Sequence, residues 1–176
     1  MLNQLKNELN KENFSFGRKP ILIGGMAMEY YGMRKSGADI DFVITNSDYQ
    51  TLANKYPNCR KDLWGDLGVV IGKFEIWRSI ALLDYDFYQK DAIDEGDVLI
   101  VSLDRLLFMR VIAMDVEKYM DDLKLMKSFY YKNFRNKGYL QEAEKHIVSY
   151  EKYSGLVSRG EYTELKHAEE KLGEID

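Results

Sequence analysis

The feature that most constrains the fold is a glycine pair between a short apolar run and a helix-forming segment. Residues 21–23 are branched and apolar, Gly24 and Gly25 end that run, and residues 26–31 favour a helix. An apolar run closed by glycine is typical of a buried strand that turns sharply. Glycine also permits backbone conformations and close approaches that a side chain excludes. The pattern predicts a strand, a tight turn and a helix.

Paired carboxylates open the next apolar segment. Asp39 and Asp41 alternate with apolar residues over 39–44, which predicts a second strand. Residues two positions apart on a strand share a face, so the carboxylates should lie together while the intervening residues enter the core. Like charges at this separation repel, and a divalent cation is a common means of neutralising them. Oxygen ligands without a nearby histidine or thiolate favour Mg²⁺ over Zn²⁺.

The glycine pair and the carboxylate pair together indicate a nucleotide site more strongly than either does alone. Each alone has a simple interpretation, a tight turn for Gly24-Gly25 and a solvated strand edge for the two aspartates. Glycines between a strand and a helix let backbone amides approach a phosphate, and thirteen residues separate Gly25 from Asp39. Across a strand, a helix and a second strand, this spacing predicts a nucleoside triphosphate placed over its metal.

The rest of the chain predicts an α/β first half and a helical second half. Residues 46–47 should cap a helix that ends near 56, and the β-type runs 67–71 and 73–80 should form a hairpin or a bulged strand around Gly72. A strand is expected at 98–101. Helices are expected over 102–114, 119–134, 139–150 and 162–172. We therefore expect a catalytic α/β core over 1–101 and a helical region over 102–176 packed on it.

Composition excludes several classes of protein. A chain of 176 residues suits one domain with an extension, and its single cysteine, Cys59, excludes an internal disulfide and a cysteine-based zinc site. No apolar run is long enough to span a membrane, and the first residues are too polar for a secretory signal. We expect a cytoplasmic protein without a membrane partner. The net charge of −4 argues against general nucleic-acid binding.

The motif Ile23-Gly24-Gly25 followed by Asp39-Ile40-Asp41-Phe42 resembles the signature of the DNA polymerase beta-like nucleotidyltransferase superfamily, at the long end of its spacing. Within the superfamily the chain is most similar to small bacterial proteins of the AbiEii type. Ala27 fits their pattern, and Arg34 with Ser36 approximates their Arg-x-Thr element. The resemblance implies a nucleotidyltransferase fold, with a mixed sheet flanked by helices and a C-terminal helical extension. It also implies that the nucleotide is bound by Gly24, Gly25, Arg34 and Ser36.

The superfamily usually adds a third carboxylate on a later strand. Glu75, between Phe74 and Ile76, is the best candidate. The resemblance implies that Asp39, Asp41 and Glu75 hold two Mg²⁺ ions, with Glu75 as general base; the alternative for Glu75 is an exposed position on an edge strand. The second Asp-x-Asp, Asp84 with Asp86, has no glycine turn before it and is interpreted as a surface loop. It is the reserve choice for the third carboxylate.

The resemblance continues into the first helices of the second half. Arg110 and Lys118 match basic residues that commonly face the nucleotide in AbiEii-type relatives, although Val116 stands where an arginine is usual. The alternative for Arg110 is a charge on a helix surface. Residues 118–137 interleave bases with aromatic residues, a composition that suits RNA binding. An amphipathic helix with buried aromatic residues and solvated lysines has the same pattern.

These features predict an enzyme that moves a nucleoside monophosphate from a nucleoside triphosphate, such as ATP, to a hydroxyl acceptor. The resemblance implies a toxin-like enzyme that acts on tRNA or on a protein, with an antitoxin partner on a separate chain. One alternative is a nucleotidyltransferase for a small molecule such as an antibiotic. Another is a non-catalytic module that binds a nucleotide.

Overall fold

The computed structural model describes residues 1–12, 14–63, 65–113 and 116–130, with residues 141, 142, 145, 146, 148 and 149. The chain divides into two compact units, Met1–Ser102 and Leu103–Asp176. The first unit contains strands and helices. In the described part of the second, the regular structure is helical. No helix among the described residues has the length and apolar character needed to cross a membrane.

The first unit is built on a mixed sheet. Its strands, with those of a small second sheet, are β1 (Ile21–Leu22), β2 (Ile40–Val43), β3 (Arg60–Leu63), β4 (Asp66–Ile71), β5 (Phe74–Trp77), β6 (Ser79–Ile80), β7 (Leu83–Asp84), β8 (Ile93–Asp94) and β9 (Leu99–Ile100). Within the described residues the main sheet has seven strands in the order β3-β4-β5-β2-β1-β9-β8, and β6 pairs with β7. The pairs β2–β5 and β1–β9 are parallel, and the other neighbours are antiparallel. The predicted α+β class with a mixed sheet is confirmed.

Six α-helices accompany the strands in the described part of the chain. They are α1 (Leu2–Glu12), α2 (Gly24–Tyr30), α3 (Asn46–Lys55), α4 (Tyr85–Gln89), α5 (Leu103–Val111) and α6 (Glu117–Tyr130). Within the first unit α2 packs on β2, α3 on β4 and α4 on β1, and within the second α5 packs on α6. The helix α2 begins at Gly24, one residue after β1, so the glycine pair that was predicted as a turn forms the first residues of the helix.

The alternation of β2 and β5 divides their residues between two faces of the sheet. Phe42 and Phe74 are fully buried and stack with ring centroids 6.2 Å apart, and the Phe14 ring meets Phe74 edge-on at 5.1 Å. Because side chains alternate along a strand, Asp41 and Glu75 project from the opposite face, where both are half-buried. The aromatic core thus anchors one face while the carboxylates occupy the other.

Two local predictions are wrong, and one strand is not predicted. The cap of α3 is Thr45, whose hydroxyl accepts from the Asp48 amide at 3.1 Å, and not the Asn46-Ser47 pair. The strand β3 is absent from the prediction because it is polar. The segment around Asp84 is not a loop, because Asp84 ends β7 and its carboxylate accepts from the amides of Asp86 and Phe87 at the start of α4.

The described residues include only part of the helices that are predicted for the second unit. The helix at 102–114 ends at Val111, and that at 119–134 begins at Glu117. The six described residues between 141 and 149 are helical, in agreement with the helix predicted at 139–150. The helix predicted at 162–172 lies outside the described residues.

Candidate functional site

The contact between Gly24 and Asp41 is the closest link between the two sequence motifs. Gly24 has a left-handed φ of +64°, and a Cβ added there would lie 2.0 Å from Asp41 Oδ2 and 2.8 Å from its Cγ. The Ile23 amide donates to the Asp41 carbonyl at 3.0 Å, which holds the two segments side by side. Gly24 is therefore required both for its backbone conformation and for the space that the Asp41 carboxylate fills.

Asp41 and Glu75 are neighbours across the sheet. The parallel strands β2 and β5 pair in a register that sets Asp41 directly opposite Glu75, so their backbones are one strand spacing apart, about 4.8 Å. Both residues lie near the start of their strands. Because β1 runs antiparallel to β2, its end at Gly24 lies at the same end of the sheet. The glycine turn and the two carboxylates are thus brought together.

Asp39 lies two residues before Asp41, outside the paired strands. It precedes the first residue of β2 and is exposed. Among the described residues, no group of three or more histidine, cysteine, aspartate or glutamate side chains is placed to hold a metal ion. The adjacent carboxylates of Asp41 and Glu75 nevertheless supply the hard oxygen donors that Mg²⁺ takes. The donor chemistry fits this ion, and the strand register provides two of the three predicted ligands side by side.

The second glycine has a different neighbour. A Cβ at Gly25 would lie 3.4 Å from Arg34 Nη1 and 3.7 Å from Nη2. Arg34 Nη1 also donates to the Lys35 carbonyl at 3.0 Å. The guanidinium of Arg34 therefore lies beside the glycine turn, where the sequence predicts a triphosphate.

Ser36 has a structural partner. Its amide and its hydroxyl both donate to Glu29 Oε2, at 2.8 and 2.6 Å. These two hydrogen bonds lower the pKa of Glu29 below its ordinary value. The pair ties the loop that carries Arg34 to helix α2.

Glu75 has a partner that the sequence did not suggest. Lys61 Nζ lies 3.2 Å from Glu75 Oε2, and it also lies 5.4 Å from the centroid of the Trp77 ring. Lys61 belongs to β3, two strands away from β5 in the sheet. The polar sequence of β3 has no apolar alternation to mark it as a strand, so no signal in the sequence placed Lys61 beside a carboxylate.

The reserve carboxylates occupy another part of the first unit. Asp84 caps α4, and Asp86 forms an ion pair with Arg18 at 3.2 Å. Asp84 belongs to β7, which pairs only with β6 among the described strands. Between the two choices for a third carboxylate, Glu75 is therefore the one that adjoins Asp41.

The remaining two predicted residues belong to the second unit. Arg110 is buried, donates through Nε to Asp122 Oδ2 at 2.9 Å, and lies over the Tyr119 ring at 4.6 Å. Arg110 is thus an internal contact between α5 and α6, and the alternative of a surface charge is wrong. Lys118 is exposed, with Nζ 4.8 Å from the centroid of the Tyr119 ring.

Helix α6 has features of both interpretations of the basic aromatic segment, the amphipathic helix and the RNA-binding surface. Leu123 and Met126 are buried, as an amphipathic helix requires, whereas Phe129 is 52% exposed. Lys124 is exposed and pairs with Asp121 at 2.8 Å. Residues 131–137 of this segment lie outside the described residues. The described part presents lysines and one aromatic ring to solvent.

Known proteins add no further evidence on this site. Neither a protein-family model nor a curated protein matches the chain.

Proposed function

We propose that this protein is a metal-dependent nucleotidyltransferase of the AbiEii-like kind, with the nucleotidyltransferase fold. The observation that carries the proposal is the contact of the Asp41 carboxylate with the Gly24 turn, next to Glu75 in register. A glycine turn, an Asp-x-Asp strand and an adjacent strand with a carboxylate are the parts that this chemistry needs. Their meeting at one end of the sheet supports the proposal.

Four candidate residues of the first unit have roles in the proposed reaction. Asp41 and Glu75, joined by Asp39, would hold the metal, and Arg34 would contact the triphosphate beside Gly25. When bound, two Mg²⁺ ions would neutralise charge on the triphosphate and orient its α-phosphorus for in-line attack, with pyrophosphate as leaving group. Glu75 would accept the proton of the attacking hydroxyl.

Helix α6 of the second unit presents exposed lysines to solvent, beside the exposed acids Glu117 and Asp121. Lys118 and Lys124 lie on α6 with the exposed ring of Phe129. Cationic and aromatic side chains together suit a phosphate backbone and its bases. We therefore place tRNA before a small molecule as acceptor, with a protein as the other macromolecular choice and an antitoxin as a partner.

One observation favours a second candidate, a non-catalytic module that binds a nucleotide. Glu75 is already paired with a cation, since Lys61 lies 3.2 Å from it. A carboxylate held in this way is less available as a metal ligand or base. Nucleotide binding without transfer to any acceptor would distinguish this candidate from the enzyme.

The test is transfer of label from each α-labelled triphosphate, with Mg²⁺, to total RNA, lysate protein or a panel of antibiotics. We expect one pool to become labelled by the wild-type protein. In the variant Asp39→Asn with Asp41→Asn, the rate should fall at least roughly a hundredfold, because several kcal/mol of charge stabilisation are lost.

The second Asp-x-Asp provides a matched control. Asp84→Asn with Asp86→Asn removes the same number of charges, and asparagine still caps α4 because it is as good a cap as aspartate. This control should transfer at the wild-type rate. Equal rates in the two double variants would rule out the proposed site.

A further inference from the structure

Lys61, Gly68 and Trp77 form a supporting arrangement around Glu75. The register of β3, β4 and β5 sets Lys61 opposite Gly68 and Gly68 opposite Trp77 in one row across the sheet. Two residues along the strands, on the same face of the sheet, a second row contains Val70, Glu75 and Asp41. The Lys61 side chain therefore extends from the first row to Glu75 in the second.

Gly68 makes this path possible. A Cβ at Gly68 would lie 2.7 Å from Trp77 Cε3 and 2.8 Å from Cζ3, so the indole ring occupies the space above β4. The ring is 6% exposed and lies beneath the Lys61 ammonium. An aromatic face attracts a cation electrostatically. Trp77 thus supports the lysine side chain on its way from the edge strand to Glu75.

The ion pair places one cation against one of two neighbouring carboxylates. Asp41 and Glu75 share a face on adjacent strands, and like charges in that position repel. The ammonium of Lys61, 3.2 Å from Glu75 Oε2, offsets this repulsion without a metal. A divalent cation shared by the two carboxylates would have to compete with the lysine for Glu75.

We infer that Lys61 neutralises the Glu75 carboxylate beside Asp41 and competes with the divalent cation for it. The inference rests on the proposed function, since it concerns the same metal site. Its consequence is specific: the lysine weakens metal binding in the absence of nucleotide. A lysine that merely ties β3 to the sheet would leave the affinity for metal unchanged.

The test is binding of Mn²⁺ alone, followed by electron paramagnetic resonance, to the full chain without nucleotide. Lys61→Met keeps the long apolar stem and removes the charge. We expect its Kd for Mn²⁺ to fall about two- to fivefold, the range that a partly exposed ion pair allows. Lys61→Arg keeps the cation and should bind Mn²⁺ as the wild type does.

Lys19→Met is the matched control. The Lys19 side chain is about as exposed as that of Lys61, 43% against 40%, and it forms an ion pair with Asp94 at 2.6 Å, away from the site. Its removal should leave Mn²⁺ affinity unchanged. Circular dichroism checks the fold of each variant, and Lys61→Gln replaces Lys61→Met if the methionine variant does not fold.

The outcomes separate the two proposals. If Asp41→Asn weakens Mn²⁺ binding while Lys61→Met binds as the wild type does or more weakly, the inference on Lys61 is wrong and the metal site stands. Equal Mn²⁺ affinities in Lys61→Arg and Lys61→Met would also overturn it. Mn²⁺ binding that is absent, or unaffected by Asp41→Asn, would overturn both the inference and the proposed metal site.

Discussion

Two adjacent glycines perform different tasks in this protein. Gly24 has a left-handed φ, and the place of its Cβ is taken by the Asp41 carboxylate. Gly25 lies in α2 without a left-handed φ, and a Cβ there would lie 3.4 Å from the flexible end of Arg34 and 3.7 Å from the Gly37 nitrogen, an ordinary contact distance. The two glycines cannot be distinguished from the sequence. In the structure, Gly24 alone of the two has a backbone conformation and a close contact that disfavour a side chain.

This difference leads to opposite expectations for two alanine variants. Gly24→Ala should lower the free energy of unfolding by roughly 1–3 kcal/mol, because the left-handed backbone is strained and the Asp41 carboxylate must move. Gly25→Ala should be neutral or raise it by up to about 1 kcal/mol, since alanine favours a helix over glycine. Urea unfolding of both variants measures the values. A similar loss in both would show that the contact with Asp41 does not matter.

The predictability of the site follows from how local each contact is. Gly24 and Asp41 lie in a short strand-turn-helix-strand segment, so the sequence motif is sufficient to find them. Glu75 lies beside Asp41 only because β2 pairs with β5. Its apolar neighbours in the sequence made it a candidate, but they do not predict this pairing. Lys61 depends on the register of three strands together, which no local pattern specifies.

At the scale of elements, β3 illustrates why some strands escape sequence analysis. Its residues Arg60–Leu63 contain no run of β-branched or aromatic side chains, and it lies at the edge of the sheet. Charged residues on an edge strand oppose pairing with a further strand. The β-structure here comes from pairing with β4, a tertiary effect. The cap of α3 is also difficult to predict, because the consecutive residues Thr45, Asn46 and Ser47 are all of types that cap helices.

The helices α5 and α6 are joined by a buried ion pair, which gives a prediction at this scale. Arg110 and Asp122 are 5% and 3% exposed in their side chains. Arg110→Met leaves a buried carboxylate without this partner and should cost about 3–5 kcal/mol of stability. Thermal and urea unfolding of the variant measure the loss.

The exposed pair Lys124–Asp121 on α6 provides the comparison. These side chains are 58% and 70% exposed, and Lys124→Met should change stability by at most about 0.5 kcal/mol. Replacement of both buried partners, with Arg110→Met and Asp122→Leu together, should recover most of the loss because two apolar groups can pack there. If the double variant is no more stable than Arg110→Met, the cost does not come from an uncompensated charge.

At the scale of the whole molecule, a bound metal should raise the thermal stability of the protein. A ligand that binds only the folded state at ten times its Kd stabilises it by about 1.4 kcal/mol. For a chain of this size that is a rise of several degrees in Tm. Differential scanning fluorimetry with Mn²⁺ should show this rise in the wild-type protein and not in Asp41→Asn.

The net charge of −4 requires a control for non-specific binding of cations. Asp84→Asn with Asp86→Asn lowers the negative charge elsewhere and should keep the full rise in Tm. Equal rises in this variant and in Asp41→Asn would mean that Mn²⁺ binds to general negative charge.

The class of the fold could be predicted, but its strand order could not. Alternating apolar residues and glycine turns indicated an α/β first half and a helical second half, and the mixed sheet confirms the class. The order β3-β4-β5-β2-β1-β9-β8 depends on which strands exclude water best when paired. The strand order therefore depends on residues throughout the unit. Strands of two residues, such as β1 and β9, are too short for their own sequence to specify their neighbours.

The position of β1 has a consequence for how the chain reaches this fold. Among the described strands β1 comes first and β9 last, yet they are parallel neighbours inside the sheet. Closing so long a loop costs entropy before any contact repays it, which slows folding. During synthesis β1 and β2 emerge early, but the sheet cannot close until β9 has left the ribosome. Until then one side of β1 is an open edge, and a chaperone or a second nascent chain has access to it.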